Sequence, residues 1–551
     1  MIQWLHMTGI RLGIAMPLLT LFVLGVAGPL GVLLFGNLPT DPAGISELRH
    51  MAGDASLQSS AVRTLGVALL ACTTASLVAI PAAFVAVRAR PWVRHLVQLF
   101  GVLPLAMPPF VSAGLLLHGV DVFNQSALAH TTGSLRVQGS DFALAMLLAL
   151  HYFPLILFSV IHGLQRIDRS LEESARNLGA GRLQVHWRIL WPLTGPAYAF
   201  AAGLMMLRIL EDVGTPLILG VDGMLAPLVL QWLGSGGPAD PLFGLGAALL
   251  LVLSLTVAAL AWNALLAPLP SPGGTFAPRP PPRHSEASGW LLITLVGALA
   301  VAPFLWLVIA AIGSEWRGDL LPAVVSVNAL QTVAQDWLPM LATTLRYAAG
   351  IAVFVLLVGT SAAVVSARAD VLGRSTRFTV AALFAVPGVV LAGACLYTAG
   401  MLGIPVPLPA GIGWLTLALV VGLKQVPLAH RLLQYRLQIH AVLPADAARS
   451  LGVRRPGIRQ RFGLAALSAT LGAVFVLAGG AAVAELSVAL ALMGNTDAPV
   501  ALAVFHALGT PSEVLHGLAA GMILTVALAL GLLLVLALTN LGRVRAPREA
   551  D

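Results

Sequence analysis

Four charged residues lie inside stretches that are otherwise apolar: Arg208, Glu211 and Asp212 in one, Glu485 in another. An ionised side chain at the centre of a bilayer costs about 2.5–3.5 kcal/mol on insertion scales, so such residues face a protein interior or a wet path. The chemistry they suggest is the guidance of a polar or charged solute rather than bond-making. An acidic lining suits a cation, and Arg208 blunts that preference. A second reading stands beside the first. Arg208 precedes Glu211 and Asp212 by three and four residues, so the three can neutralise one another on one helix face, or lie near the outer interface where charge is cheap. Glu485 falls at nearly the place in the second half that Glu211 holds in the first. Nothing else points to catalysis, because no nucleophile–base constellation stands out. His118, His130, His151, His162, His186, His430 and His440 are scattered without ligand spacing, so no metal site is expected. Cys72 and Cys395 sit in apolar runs and read as buried thiols.

A second constellation is polar and local. The loop Asp168-Arg-Ser-Leu-Glu-Glu-Ser-Ala-Arg-Asn-Leu-Gly179 continues to Ile189-Leu-Trp-Pro192. Ser170 followed by Glu173 has the spacing of a capping box, which predicts a short helix beginning there. Gly179 suits the left-handed position that ends such a helix. Arg176, Arg182 and Arg188 keep the segment in water, and Pro192 stands where the chain turns apolar again. The element is a compact lever held between two apolar spans.

The elements that carry these residues follow from composition. The chain has 551 residues, of which 58% are hydrophobic and 10% charged, and its mean hydropathy is +0.91. A soluble domain carries roughly 25% charged residues. A bilayer-spanning helix needs roughly 20 apolar residues. Spans are expected at 12–35, 65–87, 96–118, 141–163, 194–220 and 241–265, then at 289–312, 341–367, 378–400, 412–434, 466–492 and 515–541. The first is read as a retained span, since no cleavage site follows it. Residues 266–288, rich in proline, form a linker, which divides the chain into halves at 1–265 and 289–551. The net charge of +8 does not imply nucleic acid, because the basic residues gather in short loops between spans. Most of these loops fall on one side, counting Lys424 and Arg431 among their residues, which places both termini in the cytoplasm. The halves also share landmarks: Thr64-Leu65 with Thr344-Leu345, Met107-Pro108 with Val386-Pro387, and Arg176-Asn-Leu-Gly179 with Arg449-Ser-Leu-Gly452. A parallel duplication puts two six-span bundles around an axis along the membrane normal.

On these residues the chain resembles a known family. Glu173-Ser174-Ala175, three residues, Gly179, nine residues and Ile189-Leu-Trp-Pro192 are similar to the EAA loop of binding-protein-dependent ABC importer permeases. The second half repeats it as Asp446-Ala447-Ala448, three residues and Gly452, departing by aspartate for glutamate and by Ala465 where proline is usual. The resemblance implies an all-α integral membrane protein of about twelve transmembrane helices, in two homologous halves of the type I, MetI-like permease fold. It also implies that both loops dock on a cytoplasmic ABC ATPase present in two copies, with an extracytoplasmic solute-binding protein delivering a small solute in a bacterial inner membrane. ATP and Mg²⁺ would sit on the ATPase. The chain's only lysine, Lys424, lies in no glycine-rich phosphate loop, so no cofactor is expected here. Glu211–Gly220 and Glu485-Leu-Ser487 resemble permeases of the ferric-iron group, where fused double permeases also occur, as they do among thiamine permeases; the same segment is similar to aminoethylphosphonate permeases. Iron(III) is the first expectation for the solute. The alternative is a secondary transporter driven by an ion gradient, in which Glu211, Asp212 and Glu485 are coupling carboxylates.

Overall fold

In the computed structural model the chain is described at residues 16–36, 46, 53, 55–165, 167–261, 286–367, 370–406, 408–441, 465–493 and 498–544. The proline-rich linker and the second loop, with Asp446, Ala447, Ala448 and Gly452, lie outside these residues. Helix α1 (Met16–Gly36) is followed by α2 (Ala55–Arg88), α3 (Pro91–Ala106), α4 (Pro109–Gln125), the short α5 (Ala127–Thr132) and α6 (Asp141–Gln165). Then come α7 (Arg169–Asn177), α8 (Leu183–Leu210), α9 (Gly214–Leu219), α10 (Leu225–Gly236) and α11 (Pro241–Leu260). After the linker, α12 (Glu286–Ile312) leads through a small antiparallel pair, β1 (Gly313–Glu315) and β2 (Val324–Val325), to α13 (Asn328–Asp336). The order then runs α14 (Leu338–Ser366), α15 (Val371–Ala385), α16 (Gly388–Met401), α17 (Ala410–Ala441), α18 (Ala465–Val483), α19 (Ser487–Leu492), α20 (Val500–Gly509) and α21 (Val514–Val544).

Nine of the described helices are long and apolar enough to cross a membrane, and two bent pairs raise the number to eleven. Several of the expected spans are broken rather than continuous. Spans 96–118 and 378–400 are each broken: α3 meets α4 at 86°, and α15 meets α16 at 98°. A residue before proline is driven from helical to extended backbone, and proline has no N–H to continue the ladder. Met107 accordingly has ψ 116° and Val386 ψ 117°, while Pro108 and Pro387 both have ψ 141°. The spans expected at 194–220 and 466–492 also break, at Glu211–Val213 and Ala484–Leu486, leaving short α9 and α19.

Packing uses small residues, as it must where lipid gives no hydrophobic drive between helices. On α2, Ala68, Ala71, Ala75, Ala79, Ala82 and Ala86 recur every three or four residues on one buried face, and that helix packs along α6. Large apolar side chains such as Leu77 and Leu260 point outward instead, where acyl chains can cover them. One tertiary hydrogen bond appears twice. Leu225 N–H at the head of α10 donates to Thr64 Oγ1 over 2.8 Å, and Val500 N–H at the head of α20 donates to Thr344 Oγ1 over 3.2 Å. In each case a threonine in a long helix satisfies an N–H that the first turn of the next helix leaves without a partner.

Candidate functional site

The charged residues gather at the two helix breaks. Irregular backbone at membrane depth is tolerated only where protein or a wet cavity satisfies it, and the carboxylates do part of that work. Asp212 Oδ1 accepts from Thr215 N–H at 3.2 Å, and Glu485 Oε1 from Val488 N–H at 3.3 Å. Each carboxylate caps the short helix that follows it. The geometric counterpart of Glu485 is thus Asp212, one residue beyond the Glu211 expected from the sequence. Asp212 Oδ2 is buried without a hydrogen-bond partner.

Glu211 does something different. Its carboxylate binds Arg208 Nη1 at 2.9 Å and Lys424 Nζ at 2.8 Å. Lys424 also lies 4.0 Å from Glu485. The Lys424 side chain is 7% exposed and Glu211 15%, and Ser487 Oγ donates to the Glu211 carbonyl at 3.3 Å. The four expected pathway residues therefore meet in one cluster, and Arg208 neutralises Glu211 rather than Asp212. Lys424 completes it. The charge pattern groups it with Arg431 among the loop cations, but both stand within α17. The available signal was a single lysine, the chain's only one, among apolar neighbours.

The cluster sits at one end of a cavity of about 840 Å³. Apolar walls come from Leu155, Phe200, Leu204, Phe384 and Leu477, and the far end carries Arg377, His430, Arg431 and Gln434. Along α17, Lys424 and Gln434 are about 15 Å apart at the helical rise. Arg377 Nη1 donates to Ser366 O at 2.6 Å, and Ser366 Oγ pairs with His430 Nε2 at 2.7 Å. The far end thus lies where α14 terminates and α17 runs on toward the second loop. Beyond the cluster the elements close tightly: a Cβ on Gly214 would collide with Leu486. Among the described residues no group of three or more His, Cys, Asp or Glu is arranged to hold a metal ion.

The first loop folds as a lever. Helix α7 is capped by Asp168, whose side chain accepts from Ser170 N–H at 2.9 Å; the cap is Asp168, two residues before the expected Ser170. The helix ends in a Schellman arrangement, with Gly179 N–H on Arg176 O at 2.9 Å and Ala180 N–H on Ala175 O at 3.0 Å. Gly179 has φ +86°, a conformation that costs other residues about 1–2 kcal/mol. Glu173, Ser174 and Pro192 are exposed, with Ala175 and Ile189 half-buried. Glu172, not singled out by the sequence pattern, is the buried member: its carboxylate lies 3.6 Å from both Arg88 and Arg176. Through Arg88 it ties the lever to the end of α2. Leu171, Leu178, Leu183 and Trp187 are exposed around the same loop.

Residues 75–270 match a family described as the inner membrane component of binding-protein-dependent transport systems. A protein of Haemophilus influenzae provisionally assigned as a ferric transport system permease is 31% identical over 131 residues, 22% of this chain and 20% of the relative. A ferric transport system permease protein of Actinobacillus pleuropneumoniae is 32% identical over 131 residues, covering 22% and 18%. A protein of Nephroselmis olivacea provisionally assigned as a sulfate transport system permease is 28% identical over 208 residues, covering 37% and 72%. The chain spans about a fifth of the length of the two ferric relatives. The matched region holds the first loop, the helix break at Glu211–Val213 and the bundle around them, so over residues 75–270 the chain is similar to the inner membrane component of binding-protein-dependent transport systems.

Proposed function

We propose that the chain is the transmembrane subunit of an ATP-driven importer, with a path between two equivalent halves at 1–265 and 289–551. Two copies of a separate ATPase dock on the loops around Glu173–Gly179 and Asp446–Gly452. An extracytoplasmic binding protein delivers a small solute, and both termini are cytoplasmic. One observation carries the reading: a solvated helix with an apolar rim, Leu178, Leu183 and Trp187, is tied by Glu172 to Arg88 at the end of a membrane helix. Exposed apolar side chains on a charged loop mark an interaction surface, and the tie gives a push on that surface a route into α2.

With the arginine-rich loops inside, the end of the cavity that carries Arg377 and Arg431 faces the cytoplasm and the charge cluster stands at its outer end. ATP-driven closure of the partner moves the levers apart from their resting places and turns the path outward; hydrolysis resets it. For the solute, iron(III) is favoured by the ferric relatives and by three carboxylates at the cluster. Thiamine and aminoethylphosphonate fit the sequence likeness, and the provisional sulfate assignment of a longer-matching relative argues for an anion instead.

Glu173→Arg and Gly179→Pro test the reading. Each should leave the chain inserted while abolishing co-purification of the ATPase and ATP-driven uptake. Normal uptake in either variant would show that the loop is not the coupling element.

A further inference from the structure

The charge cluster joins two parts of the chain that approach from opposite sides of the linker. Glu211 closes α8, whereas Lys424 stands midway along α17 and Glu485 closes α18. The ion pair of Glu211 with Lys424 at 2.8 Å and the Ser487 hydrogen bond to the Glu211 carbonyl both cross between these parts. They do so at the end of the cavity where Gly214 and Leu486 leave no space. A solute in the cavity therefore meets this pair at the end where Gly214 and Leu486 pack closely. Charged groups removed from water need a counter-ion wherever they move, since a buried charge left unpaired is costly.

We propose that Lys424 and Glu211 form a latch that holds the outer end of the path shut in the resting state. The inference rests on the importer reading only for the direction called outer. Arg208, 2.9 Å from Glu211, fixes the carboxylate from its own helix and is a positioning residue. Gly388 at the start of α16 makes the room, because a Cβ there would stand 2.6 Å from Lys424 Nζ. Lys424 has a second acceptor in Glu485 at 4.0 Å. Opening the latch therefore does not strand the ammonium group: it passes to a carboxylate on its own side while Glu211 retains Arg208. Each separated half keeps a counter-ion, which is what a reversible lock requires and a permanent structural pair does not.

The test uses the full chain in right-side-out vesicles with no ATPase present. Leu428→Cys places a thiol on the cavity wall, one turn from Lys424 on α17. A membrane-impermeant maleimide is applied from outside, and labelling is corrected for the chain lacking that thiol. The reporter should label slowly in the otherwise unaltered chain and in Glu211→Asp, which keeps the charge. It should label at least tenfold faster in Lys424→Met and in Glu211→Gln. The double variant should be no faster than either single, because one shared interaction is lost once, whereas two independent structural roles would add. Unchanged labelling in both single variants, or additive effects in the double, would overturn the latch. Should labelling rise as expected while no ATPase supports uptake, the latch stands and the importer reading falls.

Discussion

At the residue scale, two carboxylates that adjoin in sequence have separate work. Asp212 caps a helix, and Glu211 holds two cations. The neighbour-to-neighbour neutralisation visible in sequence was half right: Arg208 reaches Glu211, and Asp212 turns to Thr215 N–H. Lys424 was illegible as a member of the cluster because its partners lie on other helices, and periodicity along one helix does not reveal what another brings to it. Glu172 was overshadowed by Glu173 for a related reason, since only folding shows which of two adjacent carboxylates turns inward. Glu172→Gln should lower stability modestly, by about 1 kcal/mol, because Arg88 and Arg176 remain partly solvated and the distances are long. Its larger effect falls on ATP-driven uptake, several-fold below the parent at equal expression. A variant with unimpaired uptake would remove the Arg88–Glu172 tie from the account.

At the element scale, the turn that ends α7 was readable while the breaks within the spans were not. Gly179 announced the end of α7 by residue type, whereas the paired X–Pro steps and the threonines before the second span of each half read only as landmarks shared by the halves. The sharp bends did not show, since hydropathy counts apolar length and is blind to a backbone that turns back at Met107-Pro108 or Val386-Pro387. Gly179→Ala should cost the end of α7 about 1–2 kcal/mol, weakening ATPase binding by about 5–30-fold in a titration of purified components. The two threonines give a parallel expectation. Thr64→Val strips the acceptor from Leu225 N–H and Thr344→Val strips it from Val500 N–H, leaving a buried donor unpaired at about 1–3 kcal/mol each. Thermal unfolding in detergent should fall by similar amounts for both; a loss in one alone would argue against equivalent halves.

At the scale of the whole molecule, composition alone identified a membrane protein, and the repeated landmarks suggested how it is organised. The cavity became visible only with the fold, because it is assembled from α3, α4, α6, α8, α15, α17 and α18 together. The proposed path runs from the arginine-bearing end of that cavity to the charge cluster, where Gly214 and Leu486 pack closely. Such a path needs an external source of work to move solute against a gradient, and the levers are where that work would be applied. The most direct measurement is solute accumulation in proteoliposomes holding the purified chain, its binding protein and either an added ATPase or none. Accumulation that requires the ATPase and ATP, and persists when ion gradients are dissipated, is the expected result. Accumulation driven by an ion gradient with no ATPase present would contradict the account.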